Sequence, residues 1–128
     1  MKVLLDTHTF LWWDSDSSKL SARARSVLAD PSSTKLVSTA SLWEIVIKVG
    51  SGKLALSRPL VDIVKAQRKA NKVKILPVRL THAYAVERLP TPHRDPFDRM
   101  LAAQAIVEGA ELVTADPIFA QYPVRVIW

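Results

Sequence analysis

The run Val3-Leu4-Leu5 is followed at once by Asp6, and these four residues limit the possible folds of this chain more than any other segment does. Three consecutive apolar residues without polar alternation are typical of a strand that is buried on both faces, as strands of parallel sheets are. Ligands of open α/β sheets bind just outside the carboxyl ends of the strands, so Asp6 is a candidate for chemistry. Asp is also a favoured N-cap, and this stretch alone leaves both roles open.

Strands and helices alternate along the rest of the 128 residues. Further strands are predicted at residues 35–38, 73–78, 111–114 and 124–128. Helices are predicted at residues 8–13, 21–29, 39–50, 59–72, 81–89 and 96–107. This rhythm indicates βαβ units, and therefore an α/β fold on a mostly parallel sheet of four or five strands. The length predicts a single domain over residues 1–128.

The helix after the second strand is the most apolar one. Thr39 or Ser41 is expected to be its N-cap, and residues 50–52, Gly-Ser-Gly, are expected to end it. Four of its apolar residues recur at the i, i+3, i+4, i+7 spacing of a buried stripe: Leu42, Ile45, Val46 and Val49. Trp43 and Ile47 widen this predicted stripe.

Composition narrows the classes of function. The absence of cysteine excludes disulfides, thiolate metal sites and cysteine nucleophiles, and fits a cytoplasmic protein. No signal peptide is evident and no apolar stretch is long enough to span a bilayer, so we expect a soluble protein with no membrane partner. Lys and Arg outnumber Asp and Glu by 18 to 12, a net charge of +6 that favours a polyanion such as nucleic acid or simply solubility.

Four acids stand where predicted strands end or the following helices begin: Asp6, Glu44, Asp98 and Asp116. Such positions gather along one edge of a parallel sheet, so the four carboxylates are expected to converge. Carboxylates at close range repel one another unless a cation neutralises them. Oxygen ligands without cysteine and with little histidine favour Mg²⁺ or Mn²⁺.

Each of these acids also has a structural explanation. Glu44 could pair with Lys48 on a solvent-exposed helix face, although its immediate neighbours are apolar. Asp98 would suit the positive end of a helix dipole. Asp95-Pro96 and Asp116-Pro117 both have the pattern of an N-cap followed by proline, and for Asp95 the capping role is favoured.

Other polar and aromatic residues near these points are less informative. Thr114 could supply a hydroxyl to metal-bound water or simply end a strand. His8 and His93 lack metal-ligand spacing, which favours structural or peripheral roles. The Trp12-Trp13 pair is more typical of a core or an interface than of a base-stacking platform.

Four short segments stand out along the chain: LLDTH at 4–8, SLWEI at 41–45, HRDPFDRMLAAQA at 93–105 and LVTADP at 112–117. In this order they resemble the PIN-domain ribonucleases, and specifically the VapC-type toxins of toxin–antitoxin pairs. The resemblance spans nearly the whole chain and is weakest over residues 50–89. Residues 93–105 are the most specific segment.

The resemblance implies an α/β/α sandwich and cleavage of RNA with Mg²⁺ or Mn²⁺. It places Asp6, Glu44, Asp98 and Asp116 on the family's acidic quartet, with Thr114 beside the last acid. Asp6, Asp98 and Asp116 are then the expected metal ligands. Arg99 matches a residue that is common only in some branches of the family, and its role stays open. The resemblance also implies a cognate antitoxin, laid in an apolar groove to which Trp12, Trp13 and Trp43 could contribute; these residues could instead form a homodimer contact.

Two other classes of function fit part of the sequence. A Mg²⁺-dependent phosphatase or phosphoacceptor domain also places an Asp after its first strand, but the haloacid-dehalogenase pattern requires a second Asp where His8 stands. A non-catalytic RNA-binding module would use the basic faces and would have no need of the acids.

Overall fold

A five-stranded parallel sheet organises the molecule. The computed structural model describes residues 1–90 and 95–128. The strands are β1 Lys2–Leu5, β2 Thr34–Ser38, β3 Lys74–Leu76, β4 Glu111–Val113 and β5 Val126–Ile127. Their order is β3-β2-β1-β4-β5, with every neighbouring pair parallel. The apolar run that follows Met1-Lys2 therefore forms the central strand, and its three residues are buried, as its lack of alternation predicts.

Helices cover both faces of this sheet. They are α1 Thr7–Ser15, α2 Ala22–Ala29, α3 Thr39–Gly50, α4 Leu60–Asn71, α5 Leu80–Glu87 and α6 Pro96–Glu108. Val3 and Leu5 pack in one core with residues of α1 to α4, whereas Leu4 packs in a second core with residues of α5 and α6. The α/β/α sandwich is thus confirmed, because successive strand side chains point to opposite faces and each face has its own helices.

Capping residues set several helix boundaries. The Ser21 hydroxyl accepts a hydrogen bond from the Ala24 N–H, 3.0 Å away, and begins α2 as predicted. Gly109, at φ 63°, ends α6 in the left-handed conformation that glycine tolerates. The N-cap of α3 is Ser38, so the prediction of Thr39 or Ser41 is wrong.

The predicted buried stripe of α3 is also wrong in most of its members. Only Ile45 of the six is fully buried, while Trp43 is 64% and Val46 56% exposed. The inward face carries Ala40, Ser41, Glu44 and Ile45 instead. The result is an apolar surface on α3, formed by Trp43, Val46, Ile47 and Val49.

The two strands at the edges of the sheet, β3 and β5, are shorter than predicted. β3 ends at Leu76, because Pro77 has no N–H to continue the ladder. β5 has only two residues. In the part of the chain that the structure describes, no helix has both the length and the apolar character needed to cross a membrane.

Candidate active site

The carboxyl edge of the sheet collects the predicted acids. Asp6 directly follows β1, and Asp116 follows the adjacent strand β4 by three residues. Glu44 lies in α3, the helix that follows β2 on the other side of β1. Asp98 is in the first turn of α6. Residues from four separate segments are therefore delivered to one edge.

Asp6 combines a capping role with a place in this group. Its side chain is 7% exposed. One carboxylate oxygen accepts a hydrogen bond from the Thr9 N–H at 2.8 Å, which caps α1, and the other accepts from the Thr114 hydroxyl. The two interpretations of Asp6 are thus compatible, since two hydrogen-bond donors from different elements hold the carboxylate in place.

Glu44 is buried, with 4% of its surface exposed. The Thr7 hydroxyl donates to Oε1 at 2.6 Å, and the Lys48 ammonium donates to Oε2 at 2.6 Å. The pair with Lys48 that the sequence allows is therefore formed, with Glu44 buried and Lys48 partly exposed. Sequence reasoning did not single out Thr7, although its position directly after Asp6 at the end of β1 was a usable signal.

Asp98 has the most perturbed acidity of the group. Its pKa is raised to about 7, first by burial and then by the negative charges of Asp95, Glu44, Asp116 and Asp6. Lys48 is affected in the complementary sense: its pKa is raised by the hydrogen bond to Glu44 and by the carboxylates of Glu44, Asp95 and Asp98. Both shifts follow from negative charge concentrated in one partly desolvated volume.

Thr114 links the last acid to the first. Its buried hydroxyl donates to Asp6 and accepts a hydrogen bond from the Asp116 N–H at 3.0 Å. Asp116 is exposed, and its side chain accepts from the Ile118 N–H at 3.0 Å, which caps the 3₁₀ turn Pro117–Gln121. Asp116 therefore has the predicted capping role while it also contributes negative charge near Asp98.

Asp95 and Arg99 have structural roles at the start of α6. The Asp95 carboxylate accepts hydrogen bonds from the N–H groups of Phe97 and Asp98, at 2.9 and 3.2 Å, so the predicted N-cap is confirmed. The Arg99 guanidinium donates to the backbone carbonyls of Pro90 and Val86, which joins α6 to the end of α5. His93 and the rest of residues 91–94, within the predicted loop, lie outside the described residues.

The donor chemistry of this edge suits a hard divalent cation, because it consists of carboxylate and hydroxyl oxygens. The geometry is not that of a closed site, however. Among residues 1–90 and 95–128, no three Asp, Glu, His or Cys side chains are close enough together to hold a metal ion. The protein's own donors hold Asp6 and Glu44, so binding an ion would require some carboxylates to exchange these partners or move.

Comparison with known proteins decides the family. The model of the PIN domain matches residues 3–124. The chain belongs to the PIN-domain family. In sequence, this PIN domain is 29% identical over 115 residues to Ribonuclease VapC22 of Mycobacterium tuberculosis, covering 89% of this chain and 86% of that protein.

Solved structures show the same fold at lower sequence identity. VapBC2 from Rickettsia felis, bound to a DNA fragment of its promoter, contains a chain with a TM-score of 0.74 and 18% identity, covering 99% of this PIN domain and 98% of that chain. DNA-bound VapBC from Salmonella typhimurium has a TM-score of 0.71 at 18% identity, covering 99% and 97% of the two chains. The recognition of a PIN-type fold from the sequence is thereby confirmed.

Proposed function

We propose that this PIN domain is a metal-dependent endoribonuclease that acts as the toxin of a toxin–antitoxin pair. The observation that carries the proposal is the environment of Asp98, whose pKa is raised by burial and by carboxylates from four other positions along the chain. Such a concentration of negative charge is unfavourable for a fold alone and is typical of a site that receives a cation. The likeness to Ribonuclease VapC22 supports RNA as the substrate.

In this proposal Asp6, Asp98 and Asp116 hold Mg²⁺ or Mn²⁺, directly or through water. A bound divalent ion supplies an activated water and offsets charge on the phosphate under attack. Thr114 holds the carboxylate of Asp6, while Thr7 and Lys48 hold that of Glu44, and Glu44 orients water at the edge of the group. Each of these contacts restricts a side chain before substrate arrives.

Lys and Arg residues outside the acidic group would bind the rest of the RNA. The net charge is +6 although the site itself is acidic, so the positive residues lie mostly elsewhere. Lys and Arg that hold flanking phosphates release counterions, and substrate affinity should therefore fall steeply with salt.

We also propose that an antitoxin covers an apolar cavity beside the acids. This cavity, about 510 Å³, is lined by Thr39, Ala40, Trp43, Val78, Pro96, Phe97 and Met100. The rings of Trp43 and Phe97 meet edge to face at 5.5 Å, and Phe97 is the neighbour of Asp98. An amphipathic peptide seated here could place a basic side chain among the carboxylates. The remaining apolar surface of α3 is available for a homodimer contact.

The test is incubation of purified protein with structured and unstructured RNAs in Mg²⁺, Mn²⁺ or EDTA. Cleavage should require the metal and should be abolished in Asp6→Asn and Asp98→Asn proteins that remain folded. Asp62→Asn is the matched control, because Asp62 is exposed and is not among the acids that act on Asp98. Full activity of a folded Asp98→Asn protein would refute the assignment.

A further inference from the structure

A small depression adjoins the acidic group on the side of α1. Its volume is about 210 Å³, and it is lined by Asp6, His8, Trp12, Ala115 and Asp116. Two of the lining residues, Asp6 and Asp116, are acids of the proposed site, and two others, His8 and Trp12, have aromatic side chains. A ligand held between them would lie directly beside the reacting phosphate.

The two rings belong to one face of α1. His8 and Trp12 are four residues apart, with ring centroids 5.7 Å apart and planes inclined at 42°. Trp12 also contacts Trp128, at 6.0 Å between centroids. His8 is exposed and Trp12 half-buried, so packing holds the indole in place while part of it stays accessible.

The charges around the depression favour a neutral, ring-shaped ligand with N–H donors. A phosphate would be repelled by Asp6 and Asp116, whereas the amino and imino groups of a nucleobase could donate to carboxylate oxygens. The Lys19 ammonium lies 5.9 Å from the centroid of Trp12. That cation would attract the nucleic-acid backbone and would repel a basic peptide side chain.

We infer that this depression is a base-binding subsite, in which a nucleobase next to the cleaved phosphodiester of single-stranded RNA stacks on His8 and Trp12. The inference rests on the proposed ribonuclease function and adds to it a preference for unpaired RNA. A base must be unstacked from its neighbours to enter, which a duplex resists. Stacking on an aromatic side chain strengthens binding by about 5- to 150-fold per base and tolerates different bases.

The adjacent tryptophan provides a matched control. Trp13 is also half-buried and packs against the same core, but it does not line the depression. Trp12→Phe keeps an aromatic ring, Trp12→Leu removes it, and Trp13→Leu tests for a loss of packing alone. His8→Ala changes an exposed residue, so it can test the subsite if Trp12→Leu does not fold.

The binding experiment compares a fluorescently labelled 12-nucleotide single-stranded RNA with the same ribose-phosphate chain lacking bases, in EDTA so that no metal-dependent cleavage occurs. Wild type, Trp12→Phe and Trp13→Leu should prefer the base-bearing RNA by about 5-fold or more. Trp12→Leu should lose most of this preference and His8→Ala part of it. An undiminished preference in Trp12→Leu, or an equal loss in Trp13→Leu, would overturn the inference.

A cleavage experiment with Mg²⁺ then locates the base. Two substrates are used, each with one abasic nucleotide, placed on one side or the other of the mapped cleavage point. On one of the two sides, the missing base should lower the cleavage rate of wild type. The same substrate should be cleaved by Trp12→Leu as fast as the complete RNA is. An abasic penalty that is equally large in Trp12→Leu would contradict the subsite. Absence of cleavage by wild type would instead count against the ribonuclease proposal. The subsite would still be tested by the binding experiment, which does not depend on cleavage.

Discussion

The ammonium of Lys48 lies 2.6 Å from a carboxylate oxygen of Glu44, one helical turn earlier in α3; the Glu44 side chain is buried, whereas that of Lys48 is 35% exposed. Because Glu44 is buried, hydrogen bonds from that partner and from the Thr7 hydroxyl replace the water that its carboxylate has lost. An i, i+4 pair that would contribute little on a surface therefore has a larger role here.

Replacing Lys48 by Met should lower the free energy of unfolding by about 1–3 kcal/mol, between the values for exposed and for fully buried ion pairs. Urea unfolding at pH 7 measures this, and Lys48→Arg should retain most of the stability. The pKa of Lys48 is raised by its partner, so the stabilisation is fully present below about pH 10.5 and is lost as pH rises through the folded-state value. If Lys48→Met is as stable as wild type, the pair contributes nothing to the fold.

Asp98→Asn should stabilise the metal-free protein at alkaline pH. The pKa of Asp98 is raised from its ordinary value of 3.8 to about 7 in the folded state, so the folded state binds this proton more tightly than the unfolded state. Ionised Asp98 therefore costs stability increasingly as pH rises from about 4 to 7. Since the group is partly exposed, we expect a gain on the order of 1–2 kcal/mol at pH 8.

Urea unfolding in EDTA at pH 5 and pH 8 tests the Asp98 prediction. The advantage of Asp98→Asn over wild type should be smaller at the lower pH. A difference that does not depend on pH would show that neither burial nor the neighbouring carboxylates raise the pKa of Asp98.

Asp95→Ala and Asp95→Asn separate the capping role of Asp95 from its charge. Both variants remove the negative charge that raises the pKa of Asp98, but asparagine can still accept from the N–H groups of Phe97 and Asp98. Asp95→Ala should be less stable than Asp95→Asn by about 1 kcal/mol. Thermal unfolding measures the difference, and Mn²⁺ titration should show binding in both; loss of binding would move Asp95 into the metal site.

Thr114→Val should weaken the acidic site without unfolding the protein. The variant removes the hydroxyl that donates to the Asp6 carboxylate and accepts from the Asp116 N–H, so both acids lose a hydrogen bond that holds them in position. Under the proposed function, Mn²⁺ affinity or cleavage should fall by about 10- to 100-fold. Thr114→Ser restores the hydroxyl and should behave like wild type; if Thr114→Val binds Mn²⁺ normally, the hydroxyl is only a strand-end contact.

Local features of the fold were predictable from the sequence because their causes lie within a few residues. The run Val3-Leu4-Leu5 predicts a strand buried on both faces, and Ser21 and Asp95 predict helix starts; the structure agrees in each case. The orientation of α3 was not predictable in this way. Apolar residues occupy most of its circumference, so periodicity cannot choose the face that packs, and Trp43 and Val46 are exposed.

Buried polar contacts between distant residues were equally inaccessible. His82 is wholly buried, and its ring lies 2.9 Å from the carboxylate of Glu108 while its other nitrogen accepts from the Arg79 N–H. This contact fastens α5 to α6 across 26 positions of sequence. Nothing in the neighbourhood of His82 along the chain signals it, because the partner comes from another helix.

The amino-acid sequence alone predicts which short stretches become strands, where most helices begin and end, and which acids follow the strands, since these depend on burial patterns and backbone donors close in the chain. The fold is needed to place β1 beside β4, to bring the Thr114 hydroxyl to Asp6, and to bury Glu44 beside the Thr7 hydroxyl. The physical reason is that electrostatic and hydrogen-bond energies depend on distance in space, and a difference of 108 in residue number places no limit on that distance.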